Sequence, residues 1–524
     1  MIIEVLIFLV TSIVAYFLYT HKKIKDHFNE HGIRYVPGVP LFGNTYNSSM
    51  QKKHVLDDIE AVYKAFPDEK YVGYIEGTVP IILIRDPEVI KNITVKDFDH
   101  FVDHRQFFPE ELDKLFAGSV FMMRGEKWRD MRTTLSPAFT GAKMKKMMPF
   151  MVDISENIIH YLKDHTDTDI DMGDLIRRYT NDVIASAGFG LQVNSTKDKE
   201  NEFYMIGQSL FNFTYFQKFY LFLYTVCPNM AKMLKIQLWP KRVHDFFNNV
   251  VSKTIEFRRK NNVERPDMIQ LLMEASTGKL TLEKGEKEKD VGFATVDEAL
   301  KPRGNMRQWT LSELTGQVFI FFAAGFESSA GELTMCVHEL ALNPDVQEKL
   351  YQEVKDFKEN NGQLTYDNIG GLKYLDAVLN ETFRKWSASI ALDRLCTQAY
   401  ELPPPRPGAK RYRVNPGDVV YNVVNAIQMD EKYYPQPEKF DPERFSEENK
   451  HKIEPFTFMT FGLGPRNCVG SRFAILELKV LLYYLALNFK LVKCDKTLDP
   501  IKLRPGDFNL KVDGGTWIRL EARS

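Results

Sequence analysis

Cys468 sits in the run Phe461-Gly462-Leu463-Gly464-Pro465-Arg466-Asn467-Cys468-Val469-Gly470, and no other segment narrows the choice of fold as far. Gly462 and Gly464 remove side chains where the backbone would pass close under a flat group, and Gly470 lets the next helix start against it. From Val469 the residues read as an amphipathic helix through about Leu487, which puts Cys468 at a helix N-terminus. Free N–H groups and the helix dipole there favour a deprotonated sulfur. An arbitrary lone cysteine is a small buried hydrophobe. Glycines and an arginine at these offsets turn the reading toward a thiolate offered to the iron of a haem, with Arg466 in reach of a propionate.

The segment resembles the cysteine-ligand loop of the cytochromes P450, whose pattern is Phe, Gly or Ser, any residue, Gly, any, Arg, any, Cys, any, Gly. Every fixed position is met, from Phe461 to Gly470. Further motifs of that family stand upstream in the expected order. Glu381-Thr382-Phe383-Arg384 lies in a helical run from Tyr374 to Lys385, where a spacing of three sets carboxylate and guanidinium on one face. On an exposed helix such a pair contributes about 0–1 kcal/mol and says little. The resemblance adds Arg444 as the third member of a buried charge network with a structural role, and Ser387 stands where many relatives carry proline, which leaves the end of this helix open. Trp128 and Arg132 share one face of a short helix that Ser136-Pro137 should end. Elsewhere such a pair is more often a cation–π or packing contact. In the family it hydrogen-bonds a haem propionate, and Arg394 matches another propionate-binding arginine.

The remaining motif lies in the apolar run from Val318 to Ser329, which reads as the centre of a long buried helix. Ala324 and Gly325 offer little bulk, so that helix can pass over a haem face and leave room for dioxygen. Glu327 and Ser328 supply an acid and a hydroxyl where an apolar helix would otherwise avoid both. The stretch is similar to the family's oxygen-activating sequence, which implies a catalytic role for Glu327 and Ser328 in proton delivery. Ser328 stands where most members carry threonine. It keeps the hydroxyl's donor and acceptor capacity but lacks the methyl that restrains the side-chain torsion, so coupling to product should be looser. The competing reading is a hydroxyl that merely back-bonds to a helix carbonyl.

Ile2 to Tyr19 is apolar except for Glu4 and a few hydroxyls, is long enough to span a bilayer, and runs straight into His21-Lys22-Lys23-Ile24-Lys25. It lacks the basic start, short apolar core and small-residue cut of a cleaved signal peptide. Basic residues after the span keep the rest of the chain in the cytosol. Residues 1–20 are therefore expected to be a transmembrane anchor, 21–40 a basic and proline-bearing hinge like that of microsomal members, and 41–524 a haem-thiolate catalytic domain in the endoplasmic reticulum membrane.

Five scattered cysteines suit a reducing compartment and not a disulfide framework. A net charge of −1 with no long basic run gives no reason to expect a nucleic-acid partner. Lys127, Arg129, Lys143, Lys145, Lys146 and Arg472 are candidates for a local basic face that receives an acidic electron donor. Because Trp128 and Cys468 must approach one haem, the catalytic unit is a single domain, mainly α with small β-sheets. Helical spacing begins near Met144, Asp171, Asn201, Lys241, Trp309, Asp345 and Asn368, and β-rich pieces occur at Tyr71 to Arg85, Ala399 to Val420 and Phe489 to Leu520. The mixed-charge run Glu283 to Asp290 reads as a surface loop. Aromatics between Phe203 and Phe222 correspond to the roof of the substrate pocket in microsomal relatives, and Phe107, Phe108, Phe116, Phe121 and Met122 to its other wall.

The likeness is greatest to insect microsomal enzymes of the xenobiotic-metabolising clan, through Gly292-Phe293-Ala294-Thr295-Val296 and Asp430-Glu431-Lys432-Tyr433-Tyr434-Pro435. What it implies is a monooxygenase. Electrons pass from NADPH through NADPH-cytochrome P450 reductase, with cytochrome b5 a candidate assistant; haem b on the Cys468 thiolate favours O–O cleavage; one oxygen atom enters a C–H or C=C bond of a lipophilic molecule. Trp128, Arg132, Ala324, Gly325, Arg394, Phe461, Arg466 and Gly470 would complete the haem site. The rival class is a haem-thiolate isomerase or dehydratase that rearranges a peroxide without a reductase, against which the retention of Glu327 and Ser328 argues. A non-enzymatic haem sensor would lack the anchor, the roof and the relay together.

Overall fold

Where helical periodicity is sustained, helices form, and most start within a few residues of the expected positions. The structure, a computed structural model, describes residues 1–106, 112–276, 292–294 and 307–523. Phe107, Phe108, Thr295, Val296 and the Glu283 to Asp290 run lie outside the described residues. The longer helices are α1 (Ile2–Glu30), α2 (Val55–Lys64), α3 (Gly125–Leu135), α4 (Gly141–Lys163), α5 (Met172–Phe189), α6 (Glu202–Phe211), α7 (Tyr215–Val226), α8 (Lys241–Asn261), α9 (Met268–Ser276), α10 (Leu311–Leu342), α11 (Pro344–Asn361), α12 (Lys373–Lys385) and α13 (Ser471–Asn488). α10 is fixed at its start by a capping box, in which the Thr310 hydroxyl accepts from the Glu313 N–H and the Glu313 carboxylate accepts from the Thr310 N–H. Helix α12 begins later than Asn368 because Ile369–Gly371 first forms a 3₁₀ turn. It ends at Lys385 without a proline: Ser387, buried, turns its hydroxyl to the Ser389 N–H at 3.2 Å.

Among the described residues, three small sheets complete the frame. β1 (Tyr71–Glu76) and β2 (Val79–Ile84) form a hairpin whose two-residue turn begins with Gly77 at φ 60°, a left-handed conformation that suits glycine. β2 pairs in parallel with β7 (Val419–Asn422), and β4 (Leu392–Leu395) closes that sheet antiparallel to β7. β3 (Asp169–Asp171), β9 (Trp517–Ala522) and β8 (Phe489–Lys493) make the second sheet, and β5 (Tyr400–Leu402) with β6 (Tyr412–Val414) the third. β3 and β4 escape sequence reading because three or four residues are too few to display alternation.

The main core gathers around α4, α5, α10 and α13, and a second cluster packs on the β1–β2–β7 sheet. α1 continues through the basic segment to Glu30 without a break. Its apolar window has a mean hydropathy of 2.3 and no residue buried against the rest of the protein, whereas Ile24 and Phe28 near its end are buried in the second cluster.

Candidate active site

The turn before α13 is shaped by glycine and by main-chain bonds. Gly462 and Gly464 have φ of 76° and 69°, and a side chain on Gly464 would run into the Thr94 carbonyl, so its close neighbour is protein backbone. The Cys468 N–H donates to the Phe461 carbonyl at 2.7 Å, which closes the loop on itself. Cys468 is the exposed one of the five cysteines; Cys336 and Cys396 are buried, Cys227 and Cys494 half-buried. Protein nonetheless surrounds its thiol. Surrounding protein groups push its pKa up by burial, while the Gly470 N–H and the Arg132 charge pull it down. Gly470 is the N-cap of α13, which starts two residues later than the Val469 expected.

Helix α3 brings Trp128 and Arg132 to this loop together. Both are buried, and Arg132 donates to the Asn467 carbonyl at 2.6 Å and to its side-chain oxygen at 2.5 Å. The Arg466 guanidinium stacks over Trp128, 3.9 Å from the ring centroid. Its N–H groups meet the carbonyls of Val102 (2.8 Å), Val120 (3.2 Å) and Met123 (2.8 Å), and the Asp103 carboxylate lies at 3.4 Å. Asn467 and these carbonyls were not expected. Asn467 occupies a free position of the cysteine pattern, and main-chain acceptors leave no mark in a sequence.

Arg394, on β4, is buried among cations. It gives one N–H to the carbonyl of its neighbour Asp393 at 2.7 Å, and its Nε meets no acceptor. Burial pushes Arg394 down to about 10. Burial and the nearby Arg394 lower Arg466 too. Asp393, against the cost of its own burial, is held at about 2 by His104, by the Arg105 N–H and by Arg394. An orphaned buried donor costs about 1–3 kcal/mol, and an anionic oxygen at Arg394 relieves both that and the crowding of positive charge. The exposed Cys468 thiol, which feels the Arg132 charge, and this orphaned donor fit a haem with its propionates.

Helix α10 presents two unlike faces. Ala324 and Ser328, one turn apart, are exposed although Ala323, Phe326, Glu327 and Ser329 around them are buried, so this stripe lines open space. Gly325 instead lies against α5, where a Cβ would stand 2.5 Å from Ile184. The Ser328 hydroxyl donates to the Ala324 carbonyl at 2.6 Å. Glu327 turns away from it toward Arg177 of α5 (3.5 Å) and Lys511 (3.4 Å); the latter also donates to the Asn212 side chain at 2.9 Å. Neither Arg177 nor Lys511 was foreseen, since each is a single charged residue far from Glu327 in the chain.

Glu381, Arg384 and Arg444 do form a network. Glu381 and Arg384 are fully buried and doubly bonded at 2.7 and 2.9 Å, with Arg444 3.5 Å from the same carboxylate. Arg384 also donates to the carbonyls of Gln428 and Pro437, which ties α12 to the chain ahead of the cysteine loop. Of the basic residues considered for a donor face, Lys127 is paired with Glu313, Arg129 with Asp99 and Lys145 with Asp367. Of the aromatics considered for the roof, Phe203 is core, while Tyr215, Phe216 and Phe219 of α7 are exposed.

The family model for cytochrome P450 matches residues 34–517. A probable cytochrome P450 9f2 of Drosophila melanogaster is 40% identical over 512 residues, 95% of each chain. Cytochrome P450 9e2 of Blattella germanica is 38% identical over 530 residues, 98% of this chain and 96% of the relative, and cytochrome P450 6k1 of the same organism 34% over 503 residues, 95% and 93%. The chain belongs to the cytochrome P450 family, among its insect members. It is a haem-thiolate monooxygenase, with haem on a cysteine thiolate, electrons from NADPH through a reductase, and a lipophilic substrate. The isomerase alternative is not favoured. An apolar N-terminal helix of spanning length is in keeping with a membrane-anchored member.

Proposed function

We propose that Cys468 is the thiolate ligand of the haem, in a catalytic domain of residues 41–524 that oxidises lipophilic xenobiotics or endogenous lipids. The observation that carries this reading is the single exposed thiol, on a residue whose N–H is held by the Phe461 carbonyl and whose sulfur feels the charge of Arg132. Haem, when bound, supplies the redox chemistry that activates dioxygen and transfers one of its atoms to substrate. The Phe461 carbonyl accepts the Cys468 N–H and so aims that residue, and Gly470 and Arg132 favour the charged sulfur. Arg394, whose Nε has no partner, would hold a propionate; Trp128 and Arg132 would line the haem site with it, and Arg466 would add charge while its N–H groups remain on the carbonyls of the protein. Ala324 keeps the exposed stripe of α10 slim, Gly325 lets the helix pack closely on α5, and Ser328 holds a proton at its hydroxyl on that stripe. Glu327, held by Lys511 and Arg177 one residue before that hydroxyl, would order the water that brings protons to it.

Residues 1–20 act as an anchor in the endoplasmic reticulum membrane and 21–40 as the hinge, with the catalytic domain facing the cytosol, where NADPH-cytochrome P450 reductase and, as an assistant, cytochrome b5 reach it. An added glycosylation acceptor site tests the topology and should stay unmodified; the native Asn194-Ser195-Thr196 is a poor reporter, because Ser195 is fully buried. The ligand is tested by the carbon monoxide spectrum of the reduced protein, which should carry the far-shifted Soret band of a thiolate haem. Cys468→Ser should abolish it, each of the other four cysteines should be replaceable, and an unchanged band in the serine variant would overturn the reading.

A further inference from the structure

Gly292-Phe293-Ala294, in the connection between α9 and α10, is docked on the far side of the cysteine loop by several independent contacts. The Phe293 N–H donates to the Asp376 carboxylate of α12 at 3.0 Å. The same carboxylate accepts from Asn380 at 3.0 Å and from the buried Lys479 of α13 at 2.8 Å, so it joins the segment to both helices. Gly292 leaves no room for a side chain between Asp376 and Ile475, and Ala294 is buried. Phe293 closes an aromatic triangle with Phe445 and Phe458, at centroid separations of 5.6 and 5.7 Å, and those two rings stand 5.1 Å apart. A solvated loop requires none of this.

The triangle has two anchors in the site. Phe445 follows Arg444 of the Glu381 network. Phe458 opens the run Phe458-Met459-Thr460-Phe461, whose last carbonyl receives the Cys468 N–H. Within that run Met459 and Thr460 are bonded to Gln428 and to the Phe383 carbonyl, and Phe461 packs on Phe383 at 5.4 Å. Among the described residues Phe458 has no such polar tether and is held by its ring contacts and by packing on the main core. Phe293 and Ala294 also line a hollow of about 200 Å³ together with Phe461, Gly462 and Leu463. We infer that Phe293, docked on Phe445 and Phe458, is a positioning residue for the Cys468 loop. It acts from outside the haem site by holding the Phe458–Phe461 run, and with it the carbonyl that aims Cys468. The inference rests on the reading of Cys468 as the ligand.

The test uses the full-length holoenzyme as wild type, Phe293→Ala, Phe293→Leu and Cys468→Ser. Amide hydrogen exchange is followed in peptides covering 456–470 and, as a remote reference, 71–84. Loss of the ring should speed exchange in 456–470 about tenfold in Phe293→Ala, equivalent to about 1.4 kcal/mol, and leave 71–84 unchanged. Its thiolate Soret band should start intact and decay about tenfold faster on standing. Phe293→Leu, which retains bulk but loses the ring contacts to Phe445 and Phe458, should speed exchange in 456–470 by about threefold and leave 71–84 unchanged, and it carries the test alone should the alanine variant fail to accumulate. Unchanged exchange in 456–470, or equal acceleration in 71–84, overturns the positioning role. Cys468→Ser keeps the two failures apart, because a thiolate band surviving there removes the ligand assignment whatever Phe293 does.

Discussion

Glu327 and Ser328 are adjacent in the chain and meet different surroundings. Ser328 lies on the exposed stripe of α10 with its hydroxyl bonded to Ala324, and Glu327 is held by Arg177 and Lys511. A serine hydroxyl has one proton, so donation to the Ala324 carbonyl must be broken before that proton is offered elsewhere. The methyl of a threonine would restrict the torsions open to such a hydroxyl. Ser328→Ala should therefore keep haem incorporation and substrate binding while lowering product formed per NADPH and raising peroxide release. The loss should fall below the roughly 10²-fold typical of a positioned proton donor, because water can replace the hydroxyl in part. Ser328→Thr should couple as well as wild type or better. Product per NADPH, measured beside peroxide, decides it: an unchanged ratio in Ser328→Ala makes the hydroxyl a helix back-bond and nothing more. At this scale the sequence pointed to residues whose type the expected chemistry demands, and the structure brings three of them, Cys468, Trp128 and Arg132, to one loop. The sequence did not disclose which way they turn. Arg466 is surrounded by carbonyls, and Glu327 is held by charges from α5 and the C-terminal region, partners that no local spacing could point to.

Helices with many periodic turns were legible, and α4, α5, α8, α10 and α11 begin within about three residues of where periodicity places them. Short strands and segment ends were not, because their extent is set by partners distant in the chain. α1 illustrates the second point: it does not stop after the apolar span but reaches Glu30, with Phe28 fully buried against Tyr35 and the Gly73 backbone. The two halves of one helix therefore have different duties, and truncation separates them. Removing residues 2–19 should leave haem incorporation and the unfolding midpoint unchanged and loosen binding to microsomes, with some attachment left through Tyr215, Phe216 and Phe219. Removing residues 2–30 should also lower stability by about 3–5 kcal/mol, the usual cost of taking a large aromatic side chain out of a core. Sedimentation with microsomes and thermal unfolding of both truncations measure it. Equal midpoints would mean that the Ile24–Phe28 turn is an ornament of the fold.

At the scale of the whole molecule, the junction of α5, α10 and α13 contains a carboxyl that the oxygen chemistry does not use. Glu477 of α13 is fully buried, its carboxyl oxygens make no well-formed hydrogen bond among the described residues although the Ser329 hydroxyl is nearby, and the Tyr179 hydroxyl of α5 bonds to its main-chain carbonyl at 2.9 Å. Burial pushes its pKa up to about 8, opposed only by the Ser329 hydroxyl of α10. The neutral acid is thus the form that the packed helices accept. In the unfolded chain a glutamate titrates near 4.3, so between about pH 4.5 and 8 the unfolded state gives up a proton that the native state retains. The native state binds more protons over that window, and stability must fall as pH rises through it: the contribution is fully present below the unfolded value and is lost by about pH 8. A shift of this size corresponds to up to about 5 kcal/mol. Glu477→Gln copies the shape of the neutral acid and removes its titration. The unfolding midpoint of the glutamine variant relative to wild type should climb steadily from pH 5 to pH 8 and then level off, while the two converge near pH 4.5. Parallel midpoint curves across that range would mean that Glu477 is hydrated or paired in the native protein, and that the α5–α10–α13 junction is less tightly closed than its packing implies.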